Sequence, residues 1–232
     1  EALNVIAVEL AKAGQFDKAL NVAGSITRDY SKASALSDIA KELAKARQFD
    51  KAVNVAGSIS DDFYKVQALS DIASELAKAG QFDKALNVAR SISDDYKNSD
   101  DYEKASALSD IASELAKAGQ TQQALLIFDK AVNAARSISF YSEKALTLKD
   151  IAVKLAKAGQ FNKALTVYGS ISGDYFEDWT LSDIASELAK AGQFDKAVNI
   201  AGYISSDYYK AEALGYIAKE LAKAGQFDKA VN

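Results

Sequence analysis

Ala68-Leu-Ser-Asp-Ile-Ala-Ser-Glu-Leu-Ala-Lys-Ala-Gly80-Gln-Phe-Asp-Lys-Ala-Leu-Asn-Val-Ala-Arg90 changes its apolar rhythm once, at Gly80. Before the glycine, Leu69, Ile72, Ala73 and Leu76 recur at i, i+3, i+4 and i+7, which is one face of an α-helix. After it, Phe82, Ala85, Leu86, Val88, Ala89 and Ile92 mark a second helical face, and Asp83 in its first turn favours the helix dipole. Gly80 stands where a left-handed residue closes a helix without a side-chain penalty. The small side chains of Ala73, Ala85 and Ala89 let the two helices approach, while Leu76, Phe82 and Ile92 fill the space around them. The spacing predicts an antiparallel helical hairpin.

The phrase Ala-Lys-Ala-Gly-Gln, or a near copy, ends at Gln15, Gln48, Gln81, Gln120, Gln160, Gln193 and Gln226, with gaps of 33, 33, 39, 40, 33 and 33 residues. A period of this size marks a solenoid, in which each hairpin is too small to bury its apolar face alone and shelters it against the next. Residues 1–232 are expected to form a single array of about seven hairpins, with both ends cut inside the array. The two long gaps fall on the fourth unit, about residues 101–140. One comes from six added residues between Ile92 and Leu108, where Ser-Asp-Asp-Tyr occurs at 93–96 and again at 99–102; it reads as a lengthened polar loop. The other lies between Gln120 and Ile138, which are 18 residues apart against 11 from Gln81 to Ile92. The seven added residues are close to two helical turns, keep the apolar face in phase, and predict a local protrusion of about 10 Å.

Departures from the repeat are the next source of information. Arg47 occupies the glycine position of the second copy, at a cost of about 1 kcal/mol if the left-handed conformation is kept. An aromatic recurs four residues after the Ile that ends the second helix in five copies, as Tyr30, Phe63, Tyr96, Tyr175 and Tyr208. These rings are read as wedges between successive units with their hydroxyls reaching water, stacking on a ligand being the alternative. The one tryptophan, Trp179, opens the sixth unit, where it serves either as a binding anchor or as a packing residue.

Composition narrows the chemistry. The chain carries 28 Lys+Arg against 32 Asp+Glu, a net charge of −4, which argues against a sequence-independent nucleic-acid groove and favours basic or neutral partners over acidic ones. It has no Cys, His or Met, so disulfides, thiolate or imidazole metal sites and the usual proton shuttles are excluded. Serines abound without a histidine to activate them, and the carboxylates repeat uniformly instead of forming one singular pair. No strand is expected ahead of any glycine, so there is no phosphate-cradling loop. The acidic pairs Asp61-Asp62, Asp94-Asp95 and Asp100-Asp101 read as capping and turn residues, not metal ligands. No enzyme, metal or cofactor is expected. No apolar run reaches the roughly 18 to 20 residues of a membrane helix. The chain is therefore read as soluble and, by default, cytoplasmic, with whatever precedes Glu1 out of view.

In its succession of Leu69, Ile72-Ala73 and Leu76, then Gly80, Phe82 and Ala85, the unit resembles the tetratricopeptide repeat. The fourth copy adds Ala124, Phe128 and Ala131 where that family places Ala, Phe and Ala. The family's closing proline is missing throughout and the period is one residue short. The resemblance implies an all-α, right-handed α-α superhelix of about seven 33-residue hairpins whose first helices line the concave side. It further implies that the polar stripe of the first helices faces a ligand. That stripe holds one carboxylate in each of five units, Asp38, Asp71, Asp110, Asp150 and Asp183, with Ser74, Ser113 and Ser186 between them, and it carries Lys78, Lys117 and Lys157 seven residues on. Such a row can accept Lys, Arg or backbone amides of an extended peptide, and Trp179 is placed on the same inner face. The family's clamp for a terminal carboxylate is not expected, because its key positions are Ser and Asp here. The chain is thus expected to be a non-catalytic scaffold for a protein or peptide, with no nucleic-acid or membrane partner. The alternatives are a self-associating module that stacks end to end, or the regulatory or sensor array of a larger signalling protein.

Overall fold

A computed structural model of the chain describes residues 2–92, 99–171, 174–226 and 228. Among them lie thirteen α-helices and no strand: α1 (Ala2–Lys12), α2 (Phe16–Gly24), α3 (Asp29–Lys45), α4 (Phe49–Gly57), α5 (Asp62–Lys78), α6 (Phe82–Arg90), α7 (Ser99–Lys117), α8 (Thr121–Ser137), α9 (Tyr141–Lys157), α10 (Phe161–Tyr168), α11 (Asp174–Lys190), α12 (Phe194–Gly202) and α13 (Asp207–Lys223). The chain divides into two compact units, Glu1–Ala134 and Ala135–Asn232.

Every described hairpin turn is built by the same backbone device. At the end of α5 the amide of Gly80 donates to the carbonyl of Ala77 and the amide of Gln81 to that of Leu76, each at 2.9 Å, which is the Schellman closure. It requires a left-handed residue, and Gly80 has φ 75°. Arg47 closes α3 in the same way at φ 61°, with Arg47 donating to Ala44 and Gln48 to Leu43 at 2.9 Å. The repeat's geometry therefore overrides the preference of this one residue.

In the first unit, α1 pairs with α2, α3 with α4 and α5 with α6, and the first helices pack in sequence, α1 on α3, α3 on α5, α5 on α7. In the second unit α9 pairs with α10 and α11 with α12, and α9 packs on α11 and α11 on α13. The interior repeats as the sequence does. Ile39, Ile72 and Ile111 are buried at one register of α3, α5 and α7, and Leu43, Leu76 and Leu115 at another, as are Ile151, Ile184 and Ile217 in α9, α11 and α13. Each such side chain contributes about 1.5–3 kcal/mol of burial. Ala73, Ala85 and Ala89 are fully buried, so the close approach rests on small residues as their spacing implies.

Three expectations meet a different arrangement. The second Ser-Asp-Asp-Tyr, read as part of a lengthened loop, forms the start of α7, which begins two residues before the aligned Asp101; the first copy, 93–96, lies outside the described residues. The recurring aromatic is not a wedge at Tyr30, Phe63 or Tyr208, all of which are exposed. The wedge is its neighbour Tyr64, buried and edge-on to both Tyr30 and Phe63. A step of one residue turns a helix by about 100°, so Tyr64 turns its ring inward while Tyr30 and Phe63 stay at the rim and touch it edge-on. Tyr96 and the side chain of Tyr175 lie outside the described residues. Finally, Phe82 is only half-buried, although its counterparts Phe16 and Phe49 are buried. The fourth copy's second helix, α8, runs 17 residues against 8 or 9 in α2, α4, α6, α10 and α12, with Ala124, Phe128 and Ala131 buried along it.

Candidate functional site

Because consecutive first helices pack side by side, residues of one register form a row that crosses them. Asp38, Asp71 and Asp110 form such a row on α3, α5 and α7, and Asp150 and Asp183 on α9 and α11. The row is cross-linked between helices. Lys41 on α3 pairs with Asp71 on α5 at 3.1 Å, and the hydroxyl of Ser74 on α5 donates to Asp110 on α7 at 2.6 Å. One turn earlier, the hydroxyl of Ser70 donates to the backbone carbonyl of Glu103 at 3.2 Å. These bonds orient Asp71 and Asp110 while leaving both half-exposed.

Burial pushes the carboxyl of Asp38 above its ordinary value; nearby Lys41 opposes that shift and Asp71 adds to it. Burial raises Glu103 as well, against the hydrogen bond from Ser70. The acidic character of this face therefore includes two carboxyls that are costly to ionise. Ser113 and Ser186 are half-buried. The lysines expected beside the row instead turn along their own helices. Lys78 pairs with Glu75 at 2.7 Å and Lys117 with Glu114 at 2.6 Å, both i, i+3. Lys157 is exposed, with Lys154 in place of the glutamate three residues before it.

The second unit is different. Lys149 on α9 is only 6% exposed, in a register that holds the buried serines Ser37, Ser70, Ser109 and Ser182 in other repeats. Its ammonium lies 2.7 Å from Asp183, 4.0 Å from Asp150 and 3.8 Å from the centre of the Trp179 ring. Two of the five row carboxylates thus share one buried cation, and Trp179 supplies a cation–π face worth about 0.5–2 kcal/mol. Thr147 and Thr180 are buried nearby on α9 and α11, each donating to the carbonyl four residues back. Asp178 is buried too, and accepts from the amides of Ser205 and Ser206 at 2.9 and 2.7 Å, which ties the segment leading into α13 to α11. Sequence reading singled out Trp179 and Asp183 but missed Lys149 and Asp178. Both were legible as register breaks, a lysine among serines and an aspartate where Ala33, Ala105, Ala145 and Ala211 stand.

Among the described residues, no group of three or more carboxylates is placed to hold a metal ion, and no helix is long and apolar enough to cross a membrane. The fold and its face of stacked first helices define a helical-hairpin repeat protein. No family model matches the chain, and no curated protein matches it. Among solved structures it is similar to Ton1535 from Thermococcus onnurineus NA1, at 19% identity and a TM-score of 0.40, over 99% of this chain and 93% of that one. It is also similar to a Rap protein in complex with competence and sporulation factor, at 16% identity and a TM-score of 0.45, over 99% of this chain and 71% of that one.

Proposed function

We propose that the chain is a tetratricopeptide-like scaffold that performs no chemistry itself and binds an extended basic or neutral segment of another protein on its first-helix face. The observation that carries this reading is the oriented carboxylate row of the first unit. Asp71 and Asp110 are held by Lys41 and Ser74, yet neither is buried away from solvent. Preorganised acceptors lose little conformational freedom when a partner's Lys, Arg or backbone amide arrives. The row crosses three helices spaced by about 8–10 Å, a span of about 20 Å. About six residues of extended chain cover that length. The second unit suits a cation less well, because Lys149 already occupies the space between Asp150 and Asp183.

The test is fluorescence anisotropy with a labelled peptide of alternating Lys and Ser and its Glu-Ser counterpart, at low and at physiological salt. The Lys-Ser peptide is expected to bind, to weaken with salt, and to lose at least about tenfold in affinity when Asp71→Asn and Asp110→Asn are combined. Equal binding of both peptides, or undiminished binding by the folded double variant, refutes the reading.

A further inference from the structure

Two departures from the repeat meet inside the second unit. Trp179 and Asp183 stand four residues apart on α11, which puts the indole ring and the carboxylate on one helical face. The register of Trp179 holds Ser34, Gln67, Ser106, Leu146 and Glu212 in α3, α5, α7, α9 and α13, so this aromatic belongs to one repeat alone. The other departure, Lys149, reaches across from α9 with its ammonium 2.7 Å from Asp183 and 3.8 Å from the ring centre. A carboxylate for the charge and an aromatic face beside it are what a primary ammonium needs. The lysine side chain is only 8% exposed, whereas those of Asp183 and Asp150 are 36% and 57% exposed and Trp179 is half-buried. The cation is enclosed, and the groups that receive it reach the surface.

Holding Asp183 in place does not by itself call for a lysine here. In the first unit Asp71 and Asp110 are held from three residues past the preceding row carboxylate, by Lys41 and by Ser74. That place on α9 is Val153, which has no side-chain donor. A hydroxyl suffices for Asp110, and enclosing an ammonium carries a larger desolvation cost than enclosing a hydroxyl. Ser37, Ser70, Ser109 and Ser182 show that the register of Lys149 is filled by serine in α3, α5, α7 and α11. What the lysine adds is occupancy. It sets a cation of the chain's own where the lysine of a partner would sit.

We propose that Lys149 is the specificity-determining residue of the carboxylate row: it fills from within a primary-ammonium site made by Asp183, Trp179 and Asp150, and so directs the lysines of a partner to the first unit. The directing role rests on the reading of the row as a partner surface; the ammonium site does not. The probe is n-butylammonium, which has the stem and head of a lysine side chain, titrated into the full chain and its Lys149→Ser variant. Trp179 is the one tryptophan, so its fluorescence reports this site. A saturable change is expected in the variant and none in the parent, with no response to butanol or to sodium chloride at equal concentration. Adding Asp183→Asn should weaken the response at least about tenfold. Serine is native to this register in four other first helices, so circular dichroism should show Lys149→Ser folded. Should it be unfolded, recovery of helicity by butylammonium and not by butanol is the equivalent test. The Lys-Ser peptide should then alter Trp179 fluorescence in Lys149→Ser, also with Asp71→Asn and Asp110→Asn added, and leave that of the parent unchanged. No response of the variant to butylammonium, an equal response to butanol or in the parent, an undiminished response with Asp183→Asn, or no response to the peptide overturns the proposal. If the parent fails to bind the peptide while the variant responds to butylammonium, the ammonium site holds, and the reading of the first unit fails together with the directing role.

Discussion

Replacing Arg47 by glycine is expected to stabilise this protein, although it removes a whole side chain. Arg47 is the one described non-glycine residue with positive φ, at 61°, and the six glycines at equivalent turns lie between 73° and 78°. A β-carbon built on those glycines, for instance Gly14, Gly80 or Gly119, meets nothing within 4 Å, so the left-handed backbone is the only local penalty at this site. For an L-residue that penalty is about 1–2 kcal/mol. Against it, glycine makes the unfolded chain more flexible, which costs about 0.4–1 kcal/mol. The side chain of Arg47 is exposed, so its loss forfeits no buried packing. The balance is a gain of about 0.5–1 kcal/mol. Urea unfolding followed by far-ultraviolet circular dichroism measures it, with Arg47→Ala as the control. Alanine keeps the β-carbon and should give no comparable gain. If glycine and alanine behave alike, or if glycine destabilises, the strain assigned to this turn does not exist.

The buried Asp178 offers a second test. Asp178→Ala strips acceptors from two backbone amides and should cost about 2 kcal/mol, with faster hydrogen exchange at Ser205 and Ser206. The third concerns pH. Because burial holds the Asp38 carboxyl above its ordinary value, the folded state takes up its proton more readily than the unfolded chain does. Its contribution to stability is therefore fully present below the unfolded value and is lost as pH rises through the folded one. Asp38→Asn should be more stable than the parent near neutrality, and that advantage should disappear below the ordinary aspartate range. An advantage that is constant with pH counts against a desolvated Asp38.

The helical hairpin was legible in the 68–90 stretch because period and punctuation are local properties. An apolar face at 3.6-residue spacing and a residue able to turn left-handed are both written in consecutive positions. Register was harder to read. The repeated aromatic at Tyr30, Phe63 and Tyr208 drew attention because it recurs, yet burial went to Tyr64, and only the angle at which one helix meets the next distinguishes adjacent positions. The carboxylates were visible as a series, whereas their partners lie about one repeat away, as in Lys41 with Asp71 and Ser74 with Asp110. Lys149 shows the same limit. Composition counts it as one more surface charge, while packing places it beneath Trp179 and against Asp183.

From the order of residues alone come the all-helical class, the 33-residue module, its glycine-closed turn and the lack of any histidine or cysteine chemistry, since each follows from short-range spacing or from composition. Tertiary packing decided which of two neighbouring rings is sheltered, which carboxylates are already paired, and that a lysine can be buried in the fifth repeat. Those outcomes depend on how successive first helices set their registers side by side, a relation between residues that are distant along the chain and adjacent only once it has folded.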